Sequence, residues 1–493
     1  MIANQLYTAA DVRALDAAFI ESGVPATQLM KRAGRAAFEA MLARFGEPEE
    51  ITIYCGAGNN AGDGFVVAAL AAARRTPVTV IVVGDVEKLS PEASAAYQYA
   101  RQEGVIMMPP GPAPAAGLIV DALLGTGLSG NVRPEYQRAI EQVNASGLPV
   151  VALDVPSGLV ADTGDVAGVA IKAVLTITFI GVKRGLVTGR GAALCGELVF
   201  EDLGAPESIY QSRHPAAVKA DYAALRAALP PREADAHKGC FGHVMVIGGD
   251  TGRGGAAIMA AEAAARSGAG LVSLATRPEH VCAALARRPE VMTCGVISGQ
   301  ELEPWLARPS VLVVGPGLGE SPWSEQMLQQ ALATDLPLIL DADALNLIAK
   351  GRLWTAGKTR DNWILTPHPG EAATLLGETT AFIGRDRYAA IADLQGRYGG
   401  VVVLKGAGSL VASEGAPVSV VTAGNPGMAS GGMGDVLSGV LGALVAQGVE
   451  LSAAAGLGVS LHAHAADLAA EERGQQSMLA TDLLDYIGVL LSD

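Results

Sequence analysis

Short apolar runs recur along the chain, and most of them are followed by an alanine-rich stretch of helical pattern. Because these runs are apolar throughout rather than alternating, they are expected to form parallel sheets that are covered on both faces. The predicted fold class is therefore α/β, with helices on both sides of a sheet in each half. Strands are predicted at 51–55, 78–83, 118–121, 150–154, 175–179, 244–248, 271–275, 311–314, 338–341, 363–366 and 401–404, and helices at 9–22, 26–45, 63–74 and 92–103.

This alternation stops between residues 200 and 240, where the chain is polar and marked by prolines. Such a stretch is typical of a domain boundary. With 493 residues the chain is also longer than one hydrophobic core normally supports. We therefore predict two domains, 1–215 and 216–493.

The charge of the chain limits the ligands it can bind. A formal net charge of −15 disfavours non-specific binding to nucleic acid or to anionic membranes, which both attract basic surfaces. The five cysteines are odd in number and lack zinc-type spacing, and no secretory leader or membrane-spanning stretch is visible. The expected location is the cytoplasm, without a nucleic-acid or membrane partner. Self-association into a homo-oligomer is also expected.

The segment GAGNNAGDG follows the strand predicted at 51–55 and precedes a helix. A glycine-rich turn at this place directs backbone amides and the positive end of a helix towards an anion such as phosphate. The spacing is not that of the dinucleotide motif G-x-G-x-x-G. Asn59, Asn60 and Asp63 are costly to bury without partners. They are therefore expected to face a ligand or a cation.

Two further strands of the first half end in an aspartate that precedes a glycine-containing loop. Asp121 precedes LLGTGLSG, and Asp154 precedes VPSG. Ligands of open parallel sheets lie beyond the carboxyl ends of the strands, so the three loops are expected to meet at one crevice. Each aspartate could instead be a helix N-cap.

In the second half the segment GNPGMASGGMGD is the most informative. Gly431, Gly432 and Gly434 precede Asp435, and an apolar helix follows. Amides at such a helix start can stabilise a phosphoryl group in transfer, while the carboxylate accepts a hydroxyl proton. The alternative is a glycine-rich turn with a capping aspartate. Arg253 and Lys238 could contact phosphate or be solvated loop charges.

The motifs GAGNNAGDGFVVA, DALLGTGLSG and LDVPSG, together with Tyr136, resemble the NAD(P)H-hydrate epimerase domain over about residues 9–213. The resemblance implies a Rossmann-like three-layer αβα sandwich. It also implies K⁺ ligands at Asn60, Asp121 and Ser157, and we take Asp154 as the catalytic candidate. Ala61 stands where the family usually has glycine. The implied contacts to the hydrated dinucleotide are Asn59, Asn60, Ala61, Gly62, Asp63, Gly125, Thr126, Gly127, Leu128, Ser129, Gly130, Asn131, Tyr136 and Asp154.

From about residue 221 onwards, HKGCFGHVMVIGG, GPGLG, DADALN, TPHPGE, KGAG and GNPGMASGGMGD occur in the order found in the ADP/ATP-dependent NAD(P)H-hydrate dehydratases. That family belongs to the ribokinase-like superfamily, so a ribokinase-like αβα domain is implied, with Mg²⁺ as cofactor. The implied contacts to the hydrate are Ala257, Gly317, His368 and Asp435, with Asp435 as catalytic base. Those to ADP or ATP are Lys405, Gly406, Ala407, Gly408, Ser409 and Gly434.

The two resemblances imply a bifunctional enzyme that repairs hydrated NADH and NADPH. The first domain would convert the (R) into the (S) epimer, and the second would use ADP or ATP to dehydrate the (S) epimer; bacterial members favour ADP. One alternative is a small-alcohol kinase, such as a vitamin-precursor kinase, fused to a dinucleotide-binding module. A dinucleotide-dependent oxidoreductase or a nucleotide sensor is another alternative, although neither half has a complete G-x-G-x-x-G motif followed by an acid.

Overall fold

In the computed structural model, which describes residues 2–355 and 357–492, the chain divides into two compact units. The first unit is Met1–Val218 and the second is Lys219–Asp493. Within the described residues, no helix combines the length and the apolar character needed to cross a membrane.

The first unit contains a seven-stranded sheet in the order β4-β3-β2-β5-β6-β7-β9, and every pair in it is parallel. Its helices are α1 (Ala9–Glu21), α2 (Ala26–Phe45), α3 (Asn59–Ala73), α4 (Pro91–Gln102), α5 (Pro134–Ser146), α6 (Gly191–Leu194) and α7 (Glu207–Gln211). Its strands are β1 (Gln5–Tyr7), β2 (Ile51–Cys55), β3 (Val78–Val82), β4 (Ile106–Met108), β5 (Leu118–Ala122), β6 (Val150–Leu153), β7 (Leu175–Phe179), β8 (Val182–Lys183), β9 (Glu197–Glu201) and β10 (Ala217–Lys219), the last of which reaches the first residue of the second unit.

Helices cover both faces of this sheet, as the uninterrupted apolar strands predict. Ile53 and Val120 pack in one core with α2, α3 and α4, whereas their neighbours Tyr54 and Ile119 pack in another core with α5. The chain proceeds from β2 outward to β3 and then returns to β5 on the other side of β2. The carboxyl ends of β2 and β5 therefore flank the topological switch point, where a ligand crevice is expected.

The second unit contains strands in the order β13-β12-β11-β14-β15-β16-β17-β18-β19, parallel except for the β17-β18-β19 meander. Its helices are α8 (Tyr222–Arg226), α9 (Gly254–Arg266), α10 (Val281–Arg287), α11 (Gly299–Leu302), α12 (Pro322–Leu332), α13 (Asp343–Ala349), α14 (Pro369–Leu376), α15 (Thr380–Arg385), α16 (Arg387–Tyr398), α17 (Met433–Ala446), α18 (Leu451–Arg473) and α19 (Leu483–Ser492). Its strands are β11 (His243–Ile247), β12 (Leu271–Thr276), β13 (Met292–Gly295), β14 (Val311–Val314), β15 (Leu338–Leu340), β16 (Trp363–Leu365), β17 (Val401–Leu404), β18 (Ser409–Ala412) and β19 (Val418–Val421).

The strands of the second unit are also buried on both faces. Val244 and Val246 pack against α9 and α17, and the alternate residue Met245 is fully buried as well. The chain passes from β11 to β12 and β13 on one side, and then returns to β14 on the other side of β11. The topological switch point of this sheet therefore lies between β11 and β14. The loops that follow these and the neighbouring strands carry most of the predicted site residues of this unit.

One predicted element differs in a way that bears on function. Helix α3 begins at Asn59, not at residue 63, because Gly58 adopts the extended conformation of an N-cap. The segment predicted as a loop is therefore the first helical turn. Ala61 lies within this turn, where φ is negative, so the extra methyl group relative to glycine carries no left-handed backbone strain.

Candidate active sites

The first unit contains a cleft of about 820 Å³ at the switch point of its sheet. The start of α3, the loop after β5 and the N-terminal part of α5 form its walls together with α1 and α2. Many of the predicted contacts line it, namely Asn59, Asn60, Asp63, Gly125, Thr126, Gly127, Leu128, Ser129, Asn131, Tyr136 and Asp154. Ala61, Gly62 and Gly130 are not among the lining residues, and the first two are buried within α3.

A buried lysine forms an ion pair with Asp154 in this cleft. Lys183 Nζ contacts Asp154 Oδ1, and it also donates to Thr178 Oγ1 (3.1 Å) and to the Phe179 carbonyl (2.9 Å). The Lys183 side chain is only 1% exposed. Asp154 follows β6 with φ +64°, a left-handed conformation that is rare outside glycine and concentrated at functional sites. A charged pair is therefore held rigidly at the carboxyl end of the sheet.

Two other carboxyl groups line the same cleft, Asp63 on α3 and Asp16 on α1. Burial, reinforced by the negative charge of Asp154, raises the pKa of Asp63 well above its ordinary value. Burial also raises the pKa of Asp16 to about 6, although the Lys183 charge opposes this shift. The cleft therefore combines a carboxyl group of raised pKa with the Lys183–Asp154 ion pair, which is an arrangement suited to acid–base chemistry.

Beneath the cleft lies a buried group of oxygen atoms at Asp121, Ser157 and Asn60. Ser157 donates to both Asp121 oxygens, from Oγ to Oδ1 (2.6 Å) and from its amide to Oδ2 (2.7 Å). Asn60 Nδ2 donates to the Leu124 carbonyl (3.1 Å), which leaves the buried Asn60 Oδ1 without a hydrogen-bond partner. Burial raises the pKa of Asp121 to about 6. An orphaned oxygen beside a buried carboxyl group fits a hard cation.

In the second unit, Asp435 lies in the first turn of α17. The N-cap of this helix is Gly432 with φ +93°, a conformation that glycine adopts without strain. Burial, followed by the negative charge of Asp341, raises the pKa of Asp435 to about 7. A carboxyl group whose pKa lies near neutral pH, at a helix N-terminus, is suited to accept a proton close to a bound anion.

Lys405 connects the other acids of this site. Its Nζ lies 2.6 Å from Asp341 Oδ1 and 3.8 Å from Glu371 Oε2. Ser438 Oγ, one turn after Asp435, donates to Asp341 Oδ2 (2.9 Å). Burial disfavours the charged form of Asp341, but Lys405 and these hydrogen bonds still lower its pKa. The pKa of Glu371 is raised to about 7 by its own burial.

The predicted nucleotide-contact segment, residues 405–409, consists of the tight connection between β17 and β18 and the first residue of β18. A β-carbon built on Gly434 would lie 3.3 Å from Lys405 Nζ and 3.2 Å from Asp341 Oδ2. The first turn of α17 therefore lies directly beside Lys405. The structure thus brings Lys405, Gly434 and Asp435 together.

The remaining predicted contacts to the hydrate differ in their surroundings. His368 is the N-cap of α14, where its Nδ1 accepts from the Gly370 amide (2.9 Å), and its Nε2 lies 3.4 Å from Glu371 Oε1. Gly317 adopts φ +58° close to the Arg253 carbonyl. Ala257 is fully buried beneath the Gly248–Gly249 turn, so its side chain offers no surface to a ligand.

Comparisons with known proteins address both units. Residues 244–488 match the family model described as NAD(P)H-hydrate dehydratase, and residues 26–185 match the one described as YjeF-related protein N-terminus. The bifunctional NAD(P)H-hydrate repair enzyme Nnr of Coxiella burnetii is 49% identical over 99% of both chains. The enzyme of the same description from Escherichia coli is 42% identical over 94% of this chain and 89% of its own length.

The chain belongs to the family of bifunctional NAD(P)H-hydrate repair enzymes. Among solved structures, the chain is similar to the ADP/ATP-dependent NAD(P)H-hydrate dehydratase of Bacillus subtilis that was co-crystallised with ATP and Mg²⁺. The identity is 26% and the TM-score 0.50, over 56% of this chain and 98% of the other. The predicted family, fold class and pairing of an epimerase with a dehydratase are confirmed, and the small-alcohol kinase alternative is not supported.

Several charged residues of these two clusters were not predicted from the sequence. Lys183 occurs within the apolar run TITFIGVKRGLV, where a buried charge requires a partner, and this was the available signal. Asp16 lies one turn after the buried Val12 and one turn before the buried Phe19, so it is an acid on the apolar face of α1. Asp341 and Glu371 were within quoted motifs, but nothing in the sequence indicated their shared contact with Lys405.

Proposed function

We propose that the first unit epimerises hydrated NADH and NADPH and that the second unit dehydrates the (S) epimer with ADP or ATP. The observation that carries this proposal is that each unit has its own cluster of lysine and carboxyl groups at the carboxyl ends of its own sheet. The positions of the two family matches support the same order along the chain. Location in the cytoplasm and assembly as a homo-oligomer stay predictions.

Epimerisation of the hydrate requires a proton to move at each side of the hydrated carbon, which carries a hydroxyl group and is bonded to the ring nitrogen. If a base removes the hydroxyl proton, the carbon–nitrogen bond breaks to give a carbonyl group, and the nitrogen takes up a proton. Closure on the opposite face then reverses both transfers. We assign the base to Asp154, which Lys183 orients, and the acid to Asp63, because burial and the charge of Asp154 raise the pKa of its carboxyl group.

The remaining cleft residues would bind the dinucleotide around this centre. The amides at the start of α3 and in the loop at 125–131 would hold its phosphates. A K⁺ ion would be held by Asn60, Asp121 and Ser157, where it would neutralise the buried carboxylate and fix the floor of the cleft. The orphaned Asn60 Oδ1 supports this assignment.

For dehydration, Asp435 would accept the proton of the substrate hydroxyl as that oxygen bonds to the terminal phosphorus of the nucleotide. The bond between this phosphorus and the nucleotide's bridging oxygen breaks, and the hydroxyl becomes a phosphate ester. Loss of phosphate together with a ring proton then restores the dihydropyridine. The amides at the start of α17 would stabilise the charge on the transferring group. Gly317 and His368 would contact the hydrate, and Ala257 would support the neighbouring turn.

The nucleotide would occupy the loop of Lys405, Gly406, Ala407, Gly408 and Ser409 beside Gly434. Among the described residues, no group of three or more histidine, cysteine or acidic side chains could hold a metal ion. Mg²⁺ would therefore be bound largely by the nucleotide phosphates and water, as is usual for this ion. Its role would be to neutralise charge on the phosphates.

The test follows both epimers of the hydrate by chromatography in the presence of ADP or ATP. The intact chain should consume both epimers, and Asp154→Asn should consume (S) while (R) drains only at its spontaneous rate. Asp435→Asn should consume both only at a strongly reduced rate, yet it should still interconvert them. If the intact chain converts (S) but leaves (R) at the rate seen without enzyme, the assignment of the first unit is wrong.

A further inference from the structure

A buried arginine supports the connection between β17 and β18 from below. Arg387, the first residue of α16, is only 4% exposed. Its Nη2 donates to the carbonyls of Leu404 (3.1 Å), Lys405 (3.3 Å) and Gly408 (3.4 Å), and its Nη1 lies 3.4 Å from the Lys405 carbonyl. One guanidinium thus contacts both ends of the connection.

These hydrogen bonds determine which backbone groups the loop can offer to a ligand. The carbonyls of Lys405 and Gly408 point to the buried guanidinium. We expect an anion to bind on the opposite, exposed side of the loop, where Gly406 and Ala407 lie. Gly406 and Gly408 have φ values of +141° and +61°, which lets the chain reverse within so few residues. A β-carbon on Gly406 would lie 2.9 Å from Arg387 Nη1, so the arginine and the loop are in close contact.

We propose that Arg387 is a positioning residue for the adenine nucleotide: it holds the 405–409 loop in the conformation that binds the phosphates, without contacting the nucleotide itself. The proposal rests on the proposed function, which places the nucleotide at this loop. A loop that is already in its binding conformation does not have to be ordered when the ligand arrives, so affinity is gained. Loss of the guanidinium should therefore weaken nucleotide binding more than it affects the chemical step.

The second unit offers a matched control in Arg360. This partly buried arginine also donates to three backbone carbonyls, those of Leu332 (3.3 Å), Thr334 (2.9 Å) and Leu336 (2.7 Å). It lies before β16, at the amino ends of the strands, whereas the 405–409 loop follows the carboxyl end of β17. Removing Arg360 should therefore destabilise the fold without changing the loop.

The experiment compares Arg387→Met, Arg387→Lys and Arg360→Met in the full chain. ADP and ATP affinities are measured by calorimetry, with kcat and both KM values for dehydration. We expect Arg387→Met to weaken ADP binding by about 10-fold to 100-fold, since hydrogen bonds from a charged donor are lost. Arg387→Lys should recover part of this loss, and Arg360→Met should bind ADP like the wild type. The KM for the hydrate and kcat at saturating nucleotide should change by less than about threefold in Arg387→Met.

A loop variant separates failure of this inference from failure of the proposed function. Gly408→Ala places a β-carbon at a left-handed position and should weaken ADP binding directly. If Gly408→Ala binds ADP normally, the nucleotide does not occupy this loop and the proposed function is wrong at this point. If Gly408→Ala weakens binding but both Arg387 variants bind like the wild type, the nucleotide site stands and the positioning role is refuted. Equal losses in Arg387→Met and Arg360→Met would also refute it.

Discussion

Replacement of Asp435 by asparagine is the sharpest test of the dehydratase mechanism, because it removes a charge with little change in shape. Loss of a positioned general base typically lowers a rate by about 10²–10⁴-fold. We expect kcat for dehydration to fall in this range, while ADP affinity changes little and epimerisation is unaffected. The assay is the return of dihydropyridine absorbance when (S)-hydrate is mixed with enzyme and ADP.

The pH dependence provides a second measure of the same residue. Burial and the charge of Asp341 raise the pKa of Asp435 to about 7, so near neutral pH only about half of the wild-type molecules carry the base in its active, ionised form. The wild-type rate should therefore rise as the pH increases and reach a plateau above about pH 8. In Asp435→Asn this rise should be absent from the residual rate.

As the pH rises, the stability of the folded protein should fall while the dehydration rate increases. Because the folded-state pKa is raised from 3.8 to about 7, the folded protein gains stability from the protonated carboxyl group below about pH 4 and loses it as the pH rises through 7. The shift corresponds to roughly 4 kcal/mol. Asp435→Asn should therefore melt at a higher temperature than the wild type at pH ~8, with the difference small at pH ~4.

These expectations fail together if Asp435 is only a helix cap. A capping aspartate has a lowered pKa and stabilises the helix start, so its replacement would slightly lower the melting temperature at neutral pH. Near wild-type dehydration by Asp435→Asn, combined with such a loss of stability, would refute both the role of Asp435 as base and the raised pKa assigned to it. Asp485→Asn is the matched control, because Asp485 also lies in the first turn of a helix, α19, but is exposed.

Three further predictions concern the first unit and the division of the chain. Asp154→Asn and Lys183→Met should each lower the rate of epimerisation by about 10²-fold or more, while dehydration of (S)-hydrate is unchanged. Equal loss of both activities would instead indicate global damage to the protein. Asp121→Ala should weaken dinucleotide binding and remove any dependence of epimerisation on K⁺, and an unchanged K⁺ response would contradict the cation site. Chains cut after Val218 should retain one activity each, and recovery only on mixing would contradict their independence.

The sequence was sufficient to predict the regular core of both units. Strands at 51–55, 175–179, 311–314 and 401–404 and the helix at 26–45 have the predicted bounds, because each is a buried apolar run with clear flanking residues. The peripheral strands of both units were not predicted, namely β1, β4, β8, β9, β10, β13, β18 and β19. With two to five residues and few buried positions in most of them, they carry no period that distinguishes them from loop.

The candidate sites were less predictable because their key contacts are long-range. Asp154 and Lys183 lie 29 residues apart, and Asp341 and Lys405 lie 64 residues apart. Only the packing of parallel strands brings each pair together. The raised pKa of Asp63 depends on its burial at the cleft wall and on the nearby charge of Asp154, which a position in a helical turn does not determine. Residue types at strand ends thus indicated where the chemistry lies but not which groups are charged.

The two units solve one electrostatic problem in the same way. A chain with a net charge of −15 must bind ligands rich in phosphate, so attraction cannot come from its overall field. In each unit a lysine is paired with one aspartate, Lys183 with Asp154 and Lys405 with Asp341. A second carboxyl group nearby then finds its ionised form opposed by burial and by the first aspartate, which raises the pKa of Asp63 and of Asp435. In each site the ionised form of this carboxyl group is therefore disfavoured, so a proton-transfer group can lie near a bound phosphate with less repulsion than an ordinary carboxylate would cause.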